Sequence, residues 1–364
     1  MNNFSISPVD ESHNERMLEI LTSSRITANG LSVCFDKSPD VFAIPKMKYC
    51  HSQHLGLFED EVLKGFGSIG YHDALVDDKP ETVFHFFNFY VLPEARGNRF
   101  IYQAADIFFK EMYKQSTFGY AITLKGNRAA NSVSKQPFAT IPYSRVIDTL
   151  VVKSILFSFS KKNVTKYKVL KANEGHIPAI VKLLKEEYSK RLFGNIVTET
   201  NFLPSLKKKR NLQIEDYHLA VDAKGRIVGV CAAWDCSSFR RTMISEYGKK
   251  FWPDLLGYKF LSKIFPLAPF PSRGESFKEL TITDYAVENR DPAIMHALLT
   301  SAYNENRHRG FHFMNWASCG SDDLLAAANG FWYKDIRSII VFASTKEDRF
   351  NMKTPLPYVD IAFL

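Results

Sequence analysis

A chain of 364 residues has the length of about two ordinary domains. With 45% hydrophobic and 24% charged residues it is globular in composition, which excludes a disordered chain, a coiled coil and a collagen-like repeat. The formal net charge of +8 is uneven: residues 1–164 hold 18 basic and 17 acidic side chains, and residues 165–364 hold 29 and 22. Mean hydropathy is −0.18, and no run of ~18 uncharged apolar residues occurs, so no membrane span is expected. The start Met1-Asn2-Asn3-Phe4-Ser5 lacks a basic, apolar leader. Five cysteines without a CxxC pair, or histidines at zinc-finger spacing, read as small buried hydrophobes in a reduced, cytoplasmic protein without metal.

In chain order, a short strand at Phe4–Ser7 opens the sequence. A strand, an acidic turn and a second strand follow over His54–Gly65. Val83–Leu92 is an apolar central strand, and Asn98–Lys114 reads as a helix. Gly119–Thr123 is the next strand, and a short helix and a closing pair of strands end near Val151–Phe159. The pattern then restarts. Tyr167–Leu170 is a strand, and His176–Arg191 is a helix with Ile177, Ile180, Leu183, Leu184 and Tyr188 on one face. Lys207-Lys208-Lys209-Arg210 reads as a solvated helix end, favourable for the dipole and poor in aromatics, so no nucleic acid is expected. His218–Gly229 repeats the hairpin of His54–Gly65 at an offset of 164, and Tyr167–Leu170 repeats Phe4–Ser7 at 163. Leu280–Val287 is the second central strand, and Pro292–Arg309 is a helix with proline at its first position. Phe311–Trp316, a short helix opened by Ser321-Asp322-Asp323, and Ile336–Ala343 complete the copy. Gly119–Thr123 pairs with His312–Trp316 at 193, so about thirty extra residues fall in Phe239–Ser276. The chain thus reads as an α/β duplication: residues 1–164, and residues 165–364 with an insertion near 239–276.

The most informative stretch runs from Phe84 to Ala104. A strand ends at Tyr90-Val91-Leu92, Pro93 stops it, and a polar loop enters a helix. Backbone N–H groups at a helix start bind anions, and Arg96 and Arg99 add charge. Gly97 lets the backbone approach a phosphate closely.

Here the sequence resembles the GCN5-related N-acetyltransferase superfamily. That family carries a Val-x-Pro-like strand end followed by an Arg/Gln-x-x-Gly-x-Gly/Ala loop. Val91-Leu92-Pro93-Glu94-Ala95-Arg96-Gly97-Asn98-Arg99-Phe100-Ile101 stands in its place, with Arg99 and Ile101 where the family has small residues. Asn127-Arg128-Ala129-Ala130 is similar to the family's Asn-x-x-Ala segment. The second copy, Tyr285–Ile294, lacks glycine and carries Asp291 and Pro292.

The resemblance implies an α/β (α+β) fold of two tandem acyl-CoA N-acyltransferase-like domains, each a mixed, splayed central sheet flanked by helices. It implies acetyl-CoA as co-substrate, held by Tyr90, Val91, Leu92, Arg96, Gly97, Asn98, Arg99, Phe100, Ile101 and Asn127 of the first half. It implies direct acetyl transfer to the amine of a small-molecule or peptide acceptor. His85 is the candidate base and Tyr143 the candidate acid. The plain alternative for His85 is a buried, hydrogen-bonded histidine. A second reading of the whole is a non-catalytic binding module of the same fold with decayed coenzyme sites. The 239–276 segment has two roles open to it, lining the acceptor cleft or making a homodimer contact.

Overall fold

The computed structural model describes residues 4–96, 100–127, 143–351 and 356–364. Strands of the first half are β1 (Phe4–Pro8), β2 (Ile26–Ala28), β3 (Leu31–Asp36), β4 (His51–Glu59), β5 (Val62–Val76), β6 (Lys79–Val91), β7 (Phe118–Leu124) and β8 (Tyr143–Leu156). Those of the second are β9 (Lys168–Lys171), β10 (Gly194–Asn195), β11 (Tyr217–Val221), β12 (Ile227–Asp235), β13 (Arg241–Tyr247), β14 (Ser276–Phe277), β15 (Glu279–Val287), β16 (Phe313–Cys319) and β17 (Tyr333–Ser344). The helices are α1 (Asn14–Ser23), α2 (Ala43–Lys48), α3 (Phe100–Met112), α4 (Ile177–Ser189), α5 (Glu199–Lys208), α6 (Trp252–Ile264) and α7 (Pro292–Asn306).

The two halves repeat each other closely. Ile6 pairs with Leu57 as Val169 pairs with Ala220, an offset of 163 in both strands. Asp10 and Asn173, also 163 apart, each cap a one-turn 3-10 helix, with His13 and His176 returning the bond to the cap. Gly65 lies between Leu57 and Val91, and Gly229 lies between Ala220 and Val287. Downstream, Phe84 pairs with Gly119 as Leu280 pairs with Met314. The register therefore sets Gly119 opposite Met314, an offset of 195 rather than the 193 read from sequence.

One sheet runs through both halves in the order β1-β4-β5-β6-β7-β17-β8-β16-β15-β12-β11-β9, with β10 attached to β5. Its centre is an exchange. β17, from the second half, lies on β7 of the first, and β8, from the first half, lies on β16 of the second. β8 and β17 then pair antiparallel from Tyr333↔Ile155 to Ser344↔Tyr143. The second half closes with one long strand, and of the pair expected at the end of the first half the described residues contain β8 alone. A continuous apolar layer crosses the exchange, joining Val83, Phe118 and Tyr120 to Leu150, Ile340 and Phe342.

A second sheet, β14-β13-β3-β2, also takes strands from both halves. Within the 239–276 segment Tyr247 belongs to β13, and the helix α6 begins at Trp252. The insertion thus supplies β13 to the roof over the first half, where Arg241 bonds Asp36 and Ser38. Among the described residues no helix is long and apolar enough to cross a membrane.

Candidate active site

The central strand β6 is irregular where chemistry is expected. Between Phe66 and Ser68 its register to β5 slips, and Asn88 takes a left-handed conformation (φ 54°). This is a β-bulge, which re-aims side chains and breaks pairing. Parallel pairing of β6 with β7 is limited to Phe84↔Gly119, His85↔Tyr120 and Phe86↔Ala121. Beyond these pairs the strands part, so the β7-facing edge of Phe87–Val91 has no strand partner among the described residues. Among the described residues this leaves a gap, the cleft, between Phe87–Val91 of β6 and the end of β7.

The strand divides its side chains between two faces. Phe84 meets Tyr113, and Phe86 and Phe89 meet Phe108, which places them on α3. At the cleft mouth, Val91 and Leu92 are buried and Tyr90 is half-buried. Arg96 is exposed; its Nε donates to the Val91 carbonyl (2.8 Å), which anchors the guanidinium at the strand end. Its terminal nitrogens have no protein partner among the described residues. Phe100 and Ile101 form the first turn of α3. Gly97, Asn98 and Arg99 lie outside the described residues. Asn127 closes the turn after β7, its N–H donating to the Leu124 carbonyl (3.0 Å).

His85 points away from α3 and is 1% exposed. Its Nδ1 lies 2.6 Å from the Tyr49 hydroxyl and 3.4 Å from Lys48 Nζ, and its ring stacks on Tyr120 at 4.5 Å. Burial, then the charges of Lys48, His72 and Lys37, hold its pKa well below the usual value, so the ring is neutral. Lys48 ends α2, and its Nζ also donates to Tyr120 Oη (3.4 Å). Burial lowers Lys48 to about 8, although Asp360 pulls the other way. Lys37 follows β3 and donates to Asn88 Oδ1 (2.8 Å). Burial, aided by Arg240 and Lys48, lowers Lys37 to about 7. Tyr143 stands three strands from β6, opposite Ser344. The tyrosines brought to His85 are Tyr49, through its hydroxyl, and Tyr120, through its ring.

The second half builds the same bulge and then fills it. Asp284 is left-handed (φ 44°), at a register slip between Val230 and Ala232. β15 and β16 pair in parallel only from Glu279↔Phe313 to Thr281↔Asn315. Across the gap, the Tyr285 hydroxyl donates to the Ala317 carbonyl (2.9 Å). At the mouth, Arg191 bonds Glu187 (2.7 Å) and Asp322 (3.1 Å), and Arg290 bonds the same two carboxylates. The N-terminus of α7 is occupied by Asp291, whose Oδ1 accepts from Ala293 N–H (2.8 Å). Asp284 accepts from Lys209 (2.5 Å), Tyr217 (2.6 Å) and Tyr188 (3.2 Å). Lys209 is thus turned into the core rather than solvated with its neighbours. An anion approaching this loop meets carboxylates and arginines that are already paired.

Sequence reasoning missed Lys37, Lys48, Tyr49, Tyr120 and Arg240. The available signal was Lys48, a lysine that closes the short helix begun by the apolar run Val41-Phe42-Ala43-Ile44-Pro45.

This architecture is the fold of GCN5-related N-acyltransferases, doubled in one chain. Saccharomyces cerevisiae N-myristoyltransferase with bound myristoyl-CoA superposes with a TM-score of 0.59 at 12% identity, over 93% of this chain and 82% of that one. A GCN5-related N-acetyltransferase from Anabaena variabilis gives 0.51 at 10% identity, over 93% and 72%. The GCN5-related glucosamine N-acetyltransferase region of a fungal multi-domain GH3 β-N-acetylglucosaminidase gives 0.59 at 10%, over 94% and 38%. No family model matches the sequence, and no curated protein matches it.

Proposed function

We propose that the protein is an N-acyltransferase that takes acetyl-CoA in the first half, residues 1–164, with residues 165–364 completing the acceptor side. One contrast carries the reading. Among the described residues the Phe87–Val91 edge lacks a strand partner and the terminal nitrogens of Arg96 lack a protein partner, whereas the β15/β16 gap is bridged by Tyr285 and ends in paired charges. The unpaired edge of Phe87–Val91 suits the amide-bearing arm of the coenzyme. Arg96, with the sequence Gly97-Asn98-Arg99 after it and the first turn of α3 at Phe100 and Ile101, suits its pyrophosphate. Asn127 flanks the cleft from β7. The packed aromatics Phe86, Phe89 and Phe108 support a short acyl chain.

The chemistry is direct: the amine nitrogen bonds the thioester carbonyl carbon, the C–S bond breaks, the amine loses a proton and the thiolate gains one. In this reading an amide of the unpaired Phe87–Val91 edge donates to the developing oxyanion. Neutral His85 can accept the amine proton through water or through the Tyr49 contact. Tyr120, with Lys48 beside its oxygen, takes the acid role assigned from sequence to Tyr143. The enclosure of His85 favours one other reading, a binding module that holds the coenzyme without turnover.

Thermal denaturation with acetyl-CoA tests the reading, with myristoyl-CoA as the long-chain comparison. Saturation a hundredfold above Kd adds about 2.7 kcal/mol of stability. Arg96→Glu is expected to abolish the shift and Arg290→Lys to retain it. No shift with either thioester overturns the proposal, and a shift without thiol release on adding amines selects the binding module.

A further inference from the structure

Three cationic side chains from separate segments surround the bulge on the face of β6 opposite α3. Lys37 comes from the end of β3 and donates to Asn88 Oδ1 (2.8 Å). Lys48 comes from α2, and Arg240 precedes β13. Arg241 pairs with Asp36, which sets Arg240 across from Lys37 at the end of the β13/β3 ladder, and its charge bears on both Lys37 and Tyr90. Its Nη1 donates to the Ile361 carbonyl (2.5 Å). Two buried donors here have no partner among the described residues: Asn88 Nδ2 and Arg240 Nε.

Of the nearby carboxylates, Asp36 and Asp360 are both held by other partners, although Asp360 still draws on Lys48. Asp36 is held by Arg241 (2.6 Å) and by the Ser38 N–H (2.8 Å). Asp360 accepts from Thr283 (2.5 Å) and Ala362 N–H (3.0 Å). Buried cations and unpaired donors are costly unless an anion completes them. Phe86–Tyr90 and Lys48 are partly exposed, so the site communicates with the cleft.

We propose that Lys37, Lys48, Arg240 and Asn88 Nδ2 bind the carboxylate of the acceptor, which is therefore an amino acid or a small amino-acid derivative. This rests on the acyltransferase reading: the acyl donor follows the α3 side of β6, and the acceptor enters from the other face, its amine near His85. The carboxylate also sets the charge state of the site. Lys37 near 7 and Lys48 near 8 are drawn to the ammonium form when the anion arrives. Other groups bearing on these amines are Arg240, His72, His85, Tyr49, Tyr120 and Asp360. Of these, His72 and His85 are neutral by burial, so the lysines dominate proton uptake.

The test uses N-acetylglycine, N-acetyl-L-leucine, N-acetyl-L-phenylalanine and N-acetyl-L-glutamate as product-like probes, each beside its uncharged α-amide. Calorimetric titration of the full chain is expected to show a carboxylate binding at least about tenfold more tightly than its amide, the size of one charge-assisted hydrogen bond. Heats in buffers of different ionisation enthalpy should reveal proton uptake at pH 8. Lys37→Met and Arg240→Met, which replace buried charges by apolar groups of similar length, should erase the preference. Equal binding of acid and amide, binding of neither, or an acid preference that survives both variants overturns the proposal. Acetyl-CoA binding, measured separately, reports on the acyltransferase reading itself.

Discussion

Asn88 and Asp284 occupy the same place in the two halves, each left-handed at the bulge of its central strand and each bonded by a buried lysine. In the second half the pair is ionic: Lys209 meets a carboxylate, and Tyr217 and Tyr188 satisfy its remaining lone pairs. In the first, Lys37 meets a neutral amide. A difference of one functional group separates a sealed structural bulge from one that holds an unanswered charge.

Asp284→Asn should therefore destabilise the protein, because it leaves Lys209 buried without its counter-charge. Removing one partner of such a pair costs about 3–5 kcal/mol. The melting temperature should fall by several degrees, and acetyl-CoA affinity, measured below the transition, should be unchanged. Asn88→Asp should do the opposite in the first half: it supplies Lys37 with a carboxylate, keeps the fold, and weakens binding of carboxylate probes.

The two depressed lysines give stability a definite pH dependence. Lys37 titrates near 7 and Lys48 near 8 in the folded chain, well below the ordinary value of 10.5. Between those values the unfolded chain binds more protons, so stability rises with pH from about 7 toward 10. Denaturant titrations should show this slope, and Lys37→Met should reduce it. An unchanged slope in the variant contradicts the assignment.

Buried neutral histidines produce an acid limit. Burial lowers His54 to about 4, and His72 and His218 to about 3. Their folded values lie below the unfolded one, so stability is lost as pH falls beneath about 6, by about 1.4 kcal/mol per histidine per pH unit. His218→Gln, whose amide can still reach Ser301, should flatten this loss in equilibrium unfolding between pH 4 and 6.

Tyr285→Phe tests the bridge across the second cleft. It removes a buried hydroxyl from the Ala317 carbonyl, a loss of about 1–3 kcal/mol, and should leave acyl-CoA binding in the first half intact. Acquisition of a second coenzyme site by this variant would show that the bridge alone closes that half.

Local chemistry made much of the fold readable. The apolar face of α4 buries Ile180, Leu184 and Tyr188 as its spacing requires, and Asp322 caps the turn it was expected to open. The hairpins at Gly65 and Gly229 follow from their turns and alternation. The exchange of β8 and β17 left no such trace, because either strand presents the same alternating apolar face to β7 and β16. The register offset slipped by two for a similar reason: short apolar strands align equally well at several shifts. In the site, the end of β6 before Pro93 is legible because an apolar run meets a proline, while Gly97, Asn98 and Arg99 lie outside the described residues. Lys37, Lys48 and Arg240 come from three distant segments, and their convergence depends on the roof that β13 adds.

Hydrogen exchange with saturating acetyl-CoA tests the central claim most directly, because it locates the coenzyme as well as detecting it. Protection is predicted in peptides covering residues 86–105, with none in those covering 281–295. Protection confined to 281–295, or no protection in either, would contradict the assignment of the first half as the acyl-CoA site.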